Sequence, residues 1–344
     1  MVTNHPISSP TPVFSVIIGA YNDWAPLDHC LASLAEQTNS PNFEVIVVDD
    51  GSREVGPESI HRWNSHYPLK VVRQIHAGVA AARNRGVQLS SGSILLFADA
   101  DCRFKMDCLA LLGSAVAGSP QHDCFQLHLT GDCSTPVGRM EELRLITLQE
   151  HLLQPNGCIR YLNTAGFAIR RARVNTEGFV FDPAARRAED TLVLAILMLD
   201  GELPLFVPDA VVQHAISISL AECFLKGVWS AFQEGRTFDL IASKGVKIRV
   251  SHRERLSMLS AMWNTSGRRS IGRLAWFALA ARQSLRLISS YIYRFLRWSI
   301  HLVHLDRFFL KSAALRRETR MTLPNRTHIQ ISENMGSGYQ SKVR

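Results

Sequence analysis

The chain has 344 residues, 46% of them hydrophobic and 20% charged, with a formal net charge of +8. That length can bury one large core or two smaller ones, and the composition is that of an ordinary globular protein. Seven cysteines with no Cys-x-x-Cys pair argue against both a disulfide framework and a zinc site, and suit a reducing cytosol.

The charge is unevenly spread. Residues 1–243 carry 18 basic and 26 acidic side chains, whereas residues 244–320 carry 17 basic and 3 acidic ones. The mildly acidic first part argues against nucleic acid as its ligand. Met1 to Pro12 is polar and Pro-rich and lacks the basic-then-apolar pattern of a signal peptide. It reads as a flexible start.

Strand-like and helix-like segments then alternate. Val13 to Ile18 reads as a strand and Pro26 to Gln37 as a helix. Phe43 to Val48 is a strand, followed by a helix over Pro57 to Ser65. Leu69 to Val72 is a short strand, Val79 to Leu89 a helix, Ile94 to Phe97 a strand, Met106 to Ala117 a helix and Cys124 to Leu129 a strand. Continuous apolar strands in this rhythm predict an α/β fold, a mainly parallel sheet with helices on both faces. Pro136 to Leu153 reads as a helix, and Asn163 to Ile169 as a loop and short strand. Glu189 to Leu199 is a helix with acids in its first turn, and Pro204 to Val207 and Ala210 to Gln213 are two short strands. The chain looks helical from Leu220 to about Leu315, and its last twenty or so residues form a polar tail.

Ligands of such sheets bind at the carboxyl ends of the strands. Three groups fall there: Ala20-Tyr21-Asn22-Asp23, Asp49-Asp50-Gly51-Ser52 and Asp99-Ala100-Asp101. Strand alternation places residues i and i+2 on one side, so Asp99 and Asp101 can aim two carboxylates at one point. Hard oxygen ligands suit Mn²⁺ or Mg²⁺, ions that keep positions open for phosphate oxygens.

Ser15-Val16-Ile17-Ile18 with Ala20-Tyr21-Asn22, Val47-Val48-Asp49-Asp50-Gly51-Ser52, the helix Gly78 to Gly86, Asp99-Ala100-Asp101 and Ala188-Glu189-Asp190-Thr191 together resemble family 2 glycosyltransferases of the GT-A fold. The resemblance covers roughly residues 13–215. It implies an inverting transfer of a sugar from a nucleotide-diphosphate donor, a UDP-sugar before others, to an acceptor hydroxyl. It also implies roles. Ala20 and Tyr21 border the nucleotide base; Asp49 or Asp50 contacts base or ribose; Arg83 faces the diphosphate. Asp101 binds the metal, Asp99 the ribose or metal, and His214 reaches the metal or diphosphate. Asp190 is the base, kept ionised by the helix-start dipole, and Glu189 orients the acceptor or the Asp190 loop. Asn163-Thr164-Ala165-Gly166 falls where relatives place a floor under the donor sugar.

Two departures are visible: Gly19 stands where the family often has Pro, and His76 where it often has Asn. No Gln-x-x-Arg-Trp motif follows Asp190, which argues for a single addition rather than processive synthesis.

Residues 273–311 contain neither Pro nor Gly. Arg282, Arg286, Ser290, Arg294, Arg297, His301, His304, Arg307 and Lys311 fall on one stripe beside a wide apolar face with Trp276, Tyr291 and Trp298. That pattern reads as an interfacial helix whose arginines meet anionic lipid heads; the alternative is a helix packed on the catalytic domain or on a second copy. The arginines interrupt any window long enough to cross a membrane. The expected organisation is a start over 1–12, a GT-A catalytic domain over 13–219, a basic amphipathic helical region over 220–320 and a disordered tail over 321–344. The expected setting is the cytoplasmic face of the membrane, with a glycan or lipid-linked acceptor such as envelope polysaccharide synthesis uses. A nucleotidyltransferase would need a Gly-rich basic loop after the first strand, which Gly19 to Asp23 is not. A catalytically silent scaffold at the membrane is the non-enzymatic alternative, against which Asp99, Asp101 and Asp190 weigh.

Overall fold

The computed structural model describes residues 12–174, 180–185, 187–216, 218–243, 252–269, 271–293 and 295. The expected flexible start (but for Pro12), the tail over 321–344 and the basic stripe from Arg294 to Lys311 lie outside the described residues.

Eight strands run in chain order: β1 (Phe14–Ala20), β2 (Phe43–Asp49), β3 (Leu69–Arg73), β4 (Ile94–Asp99), β5 (Cys102–Phe104), β6 (Cys124–Gly131), β7 (Phe167–Arg170) and β8 (Leu205–His214). The helices are α1 (Trp24–Ala35), α2 (Val79–Leu89), α3 (Cys108–Gly118), α4 (Pro136–Leu152), α5 (Glu189–Leu199), α6 (Leu220–Ser243), α7 (His252–Arg268) and a further helix, α8, over 273–293. All strands join one sheet in the order β3-β2-β1-β4-β7-β6-β8-β5. The first four are parallel; β7 runs antiparallel to β4 and β6, and β5 antiparallel to β8.

The continuous apolar strands are buried on both faces. Val16, Ile18, Val45, Val47 and Leu96 face one core with α1 and α3, and Ile17, Ile46, Val48, Leu95 and Phe97 face another with α2 and α5. At about 25 cal/mol per Å² of apolar area buried, this two-sided burial is the main stabilising term. It also fixes register, because a one-residue slip would exchange the two faces. The register aligns the strand ends: Gly19 lies opposite Asp99 and Ala20 opposite Asp49. Three loops therefore leave the sheet side by side.

The segment Pro57 to Ser65, expected as an α-helix, is a 3₁₀ helix over Glu58–Ser65. The two short strands expected over 204–213 are one strand, β8. Its pairing with β6 shifts register between Leu127 and His128, and the His128 ring Nδ1 lies 2.9 Å from the Pro208 carbonyl. An irregularity of this kind lets a strand pass a proline, which offers no N–H to the ladder. Strand β5 has no sequence signal: three residues are too few to show a period.

The helices beyond Leu220 pack on the α/β half. Met262 and Leu279 join Val137, Met140 and Leu143 of α4, and Ile241 of α6 joins Leu192 and Ala195 of α5. The described residues up to Tyr293 thus belong to one compact unit. Among the described residues, no helix is long and apolar enough to cross a membrane.

Candidate functional site

A cleft of about 1270 Å³ opens where β1, β2 and β4 end, and it is closed on its other side by α6, α7 and α8. It is lined by Ala20, Tyr21, Asp50, Arg83, Asp99, Asp101, Glu189, Asp190 and His214. Asp49 is absent from that lining.

The structure separates the two neighbouring aspartates. Asp49 is buried at the end of β2, where its Oδ1 accepts from the Ser52 N–H at 2.9 Å; it caps a turn. Asp50 lies at the cleft. Its Oδ1 accepts from Gln74 Nε2 (2.8 Å) and the Ala77 N–H (2.9 Å), and its Oδ2 from the Gly78 N–H (2.8 Å). One carboxylate thereby holds the whole turn before α2. Gly51 makes this approach possible: its φ is +76°, and a Cβ there would lie 2.9 Å from the His76 nitrogen. The Tyr21 and His76 rings face each other at 4.5 Å between centroids. Tyr21 is 41% exposed, so the pair presents an open aromatic surface at this end. Asn22, with a left-handed φ of 59°, ties the first loop to the second through the Ser52 hydroxyl and the Arg53 N–H.

At the centre, ligand atoms of Asp99, Asp101 and His214 all lie within 4.8 Å of one another. The pairing of β5 with β8 brings them together: Cys102 lies opposite His214, and the Ala215 N–H donates to the Asp101 carbonyl at 2.8 Å. His214 Nε2 is 3.1 Å from Asp101 and 3.9 Å from Asp99, while Nδ1 faces Glu141 at 3.4 Å. Burial works against a charged imidazole, but Asp101 and Glu141 outweigh it and hold His214 protonated well above its ordinary range. Two carboxylates and one imidazole nitrogen suit a divalent ion such as Mn²⁺, and a carboxylate behind the ring is the common way to orient a ligating histidine. Glu141 is itself clamped by Arg144 at 2.5 and 2.9 Å.

Beside this cluster, Glu189 and Asp190 open α5. Glu189 is buried and accepts from Arg83 at 2.6 Å; the same guanidinium donates to Asp99 at 2.6 Å. Arg83 is only 2% exposed, so it links the two acids from within rather than projecting into solvent. Its Nε has no partner among the described residues. Asp190 differs. Its Oδ1 accepts from the Thr191 N–H, yet burial and the adjacent Glu189 charge push the carboxyl up to about 7. The expectation that the helix-start dipole keeps it fully ionised is therefore corrected: desolvation outweighs the dipole. The preceding Ala188 is left-handed, at φ 55° and ψ 32°, a conformation that costs a residue with a Cβ about 1–2 kcal/mol. Asn163 and Thr164 line the cleft as the sequence suggests, and Asn163 donates to the Tyr161 hydroxyl at 3.0 Å.

The helical wall departs from expectation. Arg282 and Arg286 do not project away from the protein toward a lipid surface; both line the cleft. Arg286 is drawn inward by Glu234, to whose two oxygens it donates at 2.5 and 2.7 Å. The exposed face of α8 is instead apolar, with Leu274, Phe277, Ile288 and Tyr291. Sequence reasoning also missed Glu141 and Arg144, which sit in the charged run Arg139 to Arg144, and Tyr161. A glutamate and an arginine three apart within a buried helix are the only signal they offered.

Residues 15–179 match the family model described as Glycosyl transferase family 2. The validoxylamine A glucosyltransferase of Streptomyces hygroscopicus subsp. limoneus is 41% identical over 95 residues, 27% of this chain and 21% of that protein. Glycosyltransferase AglE of Haloferax volcanii is 34% identical over 116 residues, 33% of this chain and 38% of that protein. The chain thus spans well under half the length of these curated relatives. Among solved structures, the mannosyltransferase PcManGT of Pyrobaculum calidifontis, in complex with GDP-Man and Mn²⁺, superposes with a TM-score of 0.51 at 18% identity. That match covers 90% of this chain and 87% of that one, a likeness of fold.

Proposed function

Because residues 15–179 match the glycosyl transferase family 2 model and the fold resembles that of a solved mannosyltransferase, we propose that the chain transfers a sugar from a nucleotide-diphosphate donor to an acceptor hydroxyl with inversion at the anomeric carbon. One observation carries this reading: the Asp99/Asp101/His214 cluster and the Asp190 carboxyl line the same cleft.

Tyr21 and His76 take the base, and Asp50 keeps the turn before α2 in place beneath it. A divalent ion, Mn²⁺ or Mg²⁺, would be held by Asp99, Asp101 and His214; it would offset the charge of the departing diphosphate. Asp190 accepts the proton of the acceptor hydroxyl. As that oxygen bonds to the anomeric carbon, the bond from this carbon to the diphosphate oxygen breaks, and the nucleoside diphosphate leaves with the electron pair. A carboxyl titrating near 7 is well matched to this task at neutral pH. Arg83 holds Glu189 and Asp99 at fixed separation, so the base and the cation cluster share one frame.

Release of UDP, GDP and dTDP from their sugar conjugates in the presence of Mn²⁺ tests the reading. Slow release or binding of one donor, with UDP-sugars the first choice, and its loss in Asp101→Asn is the expected result. No donor bound and no change in Asp101→Asn would sink it.

The acceptor is a lipid-linked or membrane-proximal glycan, receiving a single addition at the cytoplasmic face. Exposed Trp229, Phe277, Ile288 and Tyr291 support contact between the helical half and a membrane surface. Partition onto anionic vesicles is expected to fall in the pair Trp229→Ser and Phe277→Ser; unchanged partition excludes this surface.

A further inference from the structure

The cations of the cleft are not equivalent. Arg83 has Glu189 and Asp99, Arg144 has Glu141, and Arg286 has Glu234. Arg160, Arg187, Lys226 and Arg282 also line the cleft, and among the described residues none of the four has an ion-pair partner; the first three are exposed, whereas Arg282 is half-buried. Its Nε donates to the Cys223 carbonyl at 3.2 Å, and among the described residues its two terminal nitrogens have no hydrogen-bond partner. The residue lines the cleft from a half-buried position. Burial, with the nearby charges of Arg286 and Arg144, works against the ionised form and outweighs the Glu141 carboxylate, which favours it but is itself paired with Arg144.

The position of Arg282 is built, not incidental. Where α8 crosses α6, Gly227 lies beneath it. A Cβ on Gly227 would come within 3.2 Å of Arg282 Nε and 3.4 Å of its Cγ, so a side chain there would press on the arginine and displace it by a few tenths of an ångström. The same cleft is lined by the apolar Met258, Met262, Leu279, Ile216 and Ile218, beside the Arg286–Glu234 pair. A guanidinium kept from water without a counter-ion is costly, and a planar fork of donors matches the oxygens of a phosphate or carboxylate.

We propose that Arg282 binds an anionic group, a phosphate in the first instance, carried by the acceptor beside an apolar body. The inference rests on the transferase reading of the cleft and adds the chemical class of the acceptor. Two sources could supply phosphate oxygens here, the donor's diphosphate and the acceptor. The acceptor is favoured because Arg282 belongs to the helical wall among apolar side chains, whereas the cation cluster and the turn before α2 belong to the strand ends.

Binding to the full chain tests it, with three probes: UDP plus Mn²⁺, octyl phosphate below its micellar concentration, and octyl glucoside as the uncharged control. Arg282→Gln is expected to weaken octyl phosphate by about tenfold or more, the usual effect of losing a charge-assisted hydrogen-bonded pair. UDP and octyl glucoside should bind it as they bind the wild type. Arg282→Lys should recover part of the affinity, and Gly227→Ala should weaken octyl phosphate without touching UDP. Equal losses for UDP and octyl phosphate would assign Arg282 to the donor and overturn the proposal. So would octyl phosphate binding that is absent in the wild type or indifferent to Arg282. If UDP itself fails to bind the wild type, the transferase reading fails first. Thermal melts of all three variants separate these outcomes from misfolding.

Discussion

The strand-end half of the cleft and its helical wall follow opposite rules. At the strand ends nearly every polar group has its partner before any ligand arrives: Asp50 holds a turn, Asp49 caps one, and Arg83 bridges two acids. On the helical wall Arg282 waits without a counter-ion among methionines and leucines. The contrast teaches that the polar groups of the strand ends are fixed in advance, while on the helical wall Arg282 is left open. Under the proposed function the fixed half takes the nucleotide diphosphate, whose cradle gains from preorganisation. The open half would take the acceptor, and it is made from helices outside the matched residues 15–179.

The sharpest way to break this comparison is at Asp190. Asp190→Asn is expected to lower turnover by about 10²–10⁴-fold, the usual worth of a positioned base. In the wild type, activity should rise with pH through about 7, because only the ionised carboxyl accepts a proton, and level off above. A kcat/KM profile that is flat from pH 5.5 to 8 would contradict that role. Stability should move the other way. The folded carboxyl titrates near 7 against an ordinary 3.8, so the folded state holds the proton more tightly and loses stability as pH rises between those values. Melting curves should therefore show Asp190→Asn more stable than wild type at pH 8 and equal to it at pH 3.5.

Next in size is the rigid frame itself. Arg83→Gln leaves Glu189 buried without its partner and should cost about 3–5 kcal/mol in urea unfolding. A loss below about 1 kcal/mol would mean that the strand-end half is less interlocked than its contacts imply.

A smaller effect is expected where the two halves meet. Glu141 faces His214 from α4, and Glu141→Gln should weaken Mn²⁺ binding, read by electron paramagnetic resonance titration, by about 10–100-fold. Unchanged affinity would remove Glu141 from the site. The smallest effect concerns Ala188. Glycine at this left-handed position should stabilise the fold by about 0.5–1 kcal/mol, and a loss of stability would show that the turn needs its methyl group.

Legibility in the sequence follows the same divide. Continuous apolar strands, turn aspartates and the acidic start of α5 are local signals; they marked the sheet, the Asp49-Asp50 turn, Asp99 and Asp101, and the Glu189-Asp190 helix start, but they did not separate Asp49 from Asp50, and the role of Asp190 came from the resemblance. His214 was legible only through resemblance, since its place depends on β5, three residues long. Glu141 and Arg144 drew no notice within the helix expected over Pro136 to Leu153, because nothing local announces that a carboxylate will be buried behind a histidine. Arg282 and Arg286 misled for a related reason. Periodicity shows that they share a stripe of α8, but which way the stripe turns depends on Gly227 and Glu234, more than fifty residues away.

The short pairing of β5 with β8 has one more consequence. His214 is the last residue of β8, and a few residues later the chain becomes α6, the floor on which Arg282 rests. The cluster at the strand ends is thus a clasp fastened to the root of the helical wall. Any ion held by Asp99, Asp101 and His214 would therefore sit a few residues from the start of α6, so the anchor of the helical wall and the cation cluster share one stretch of chain.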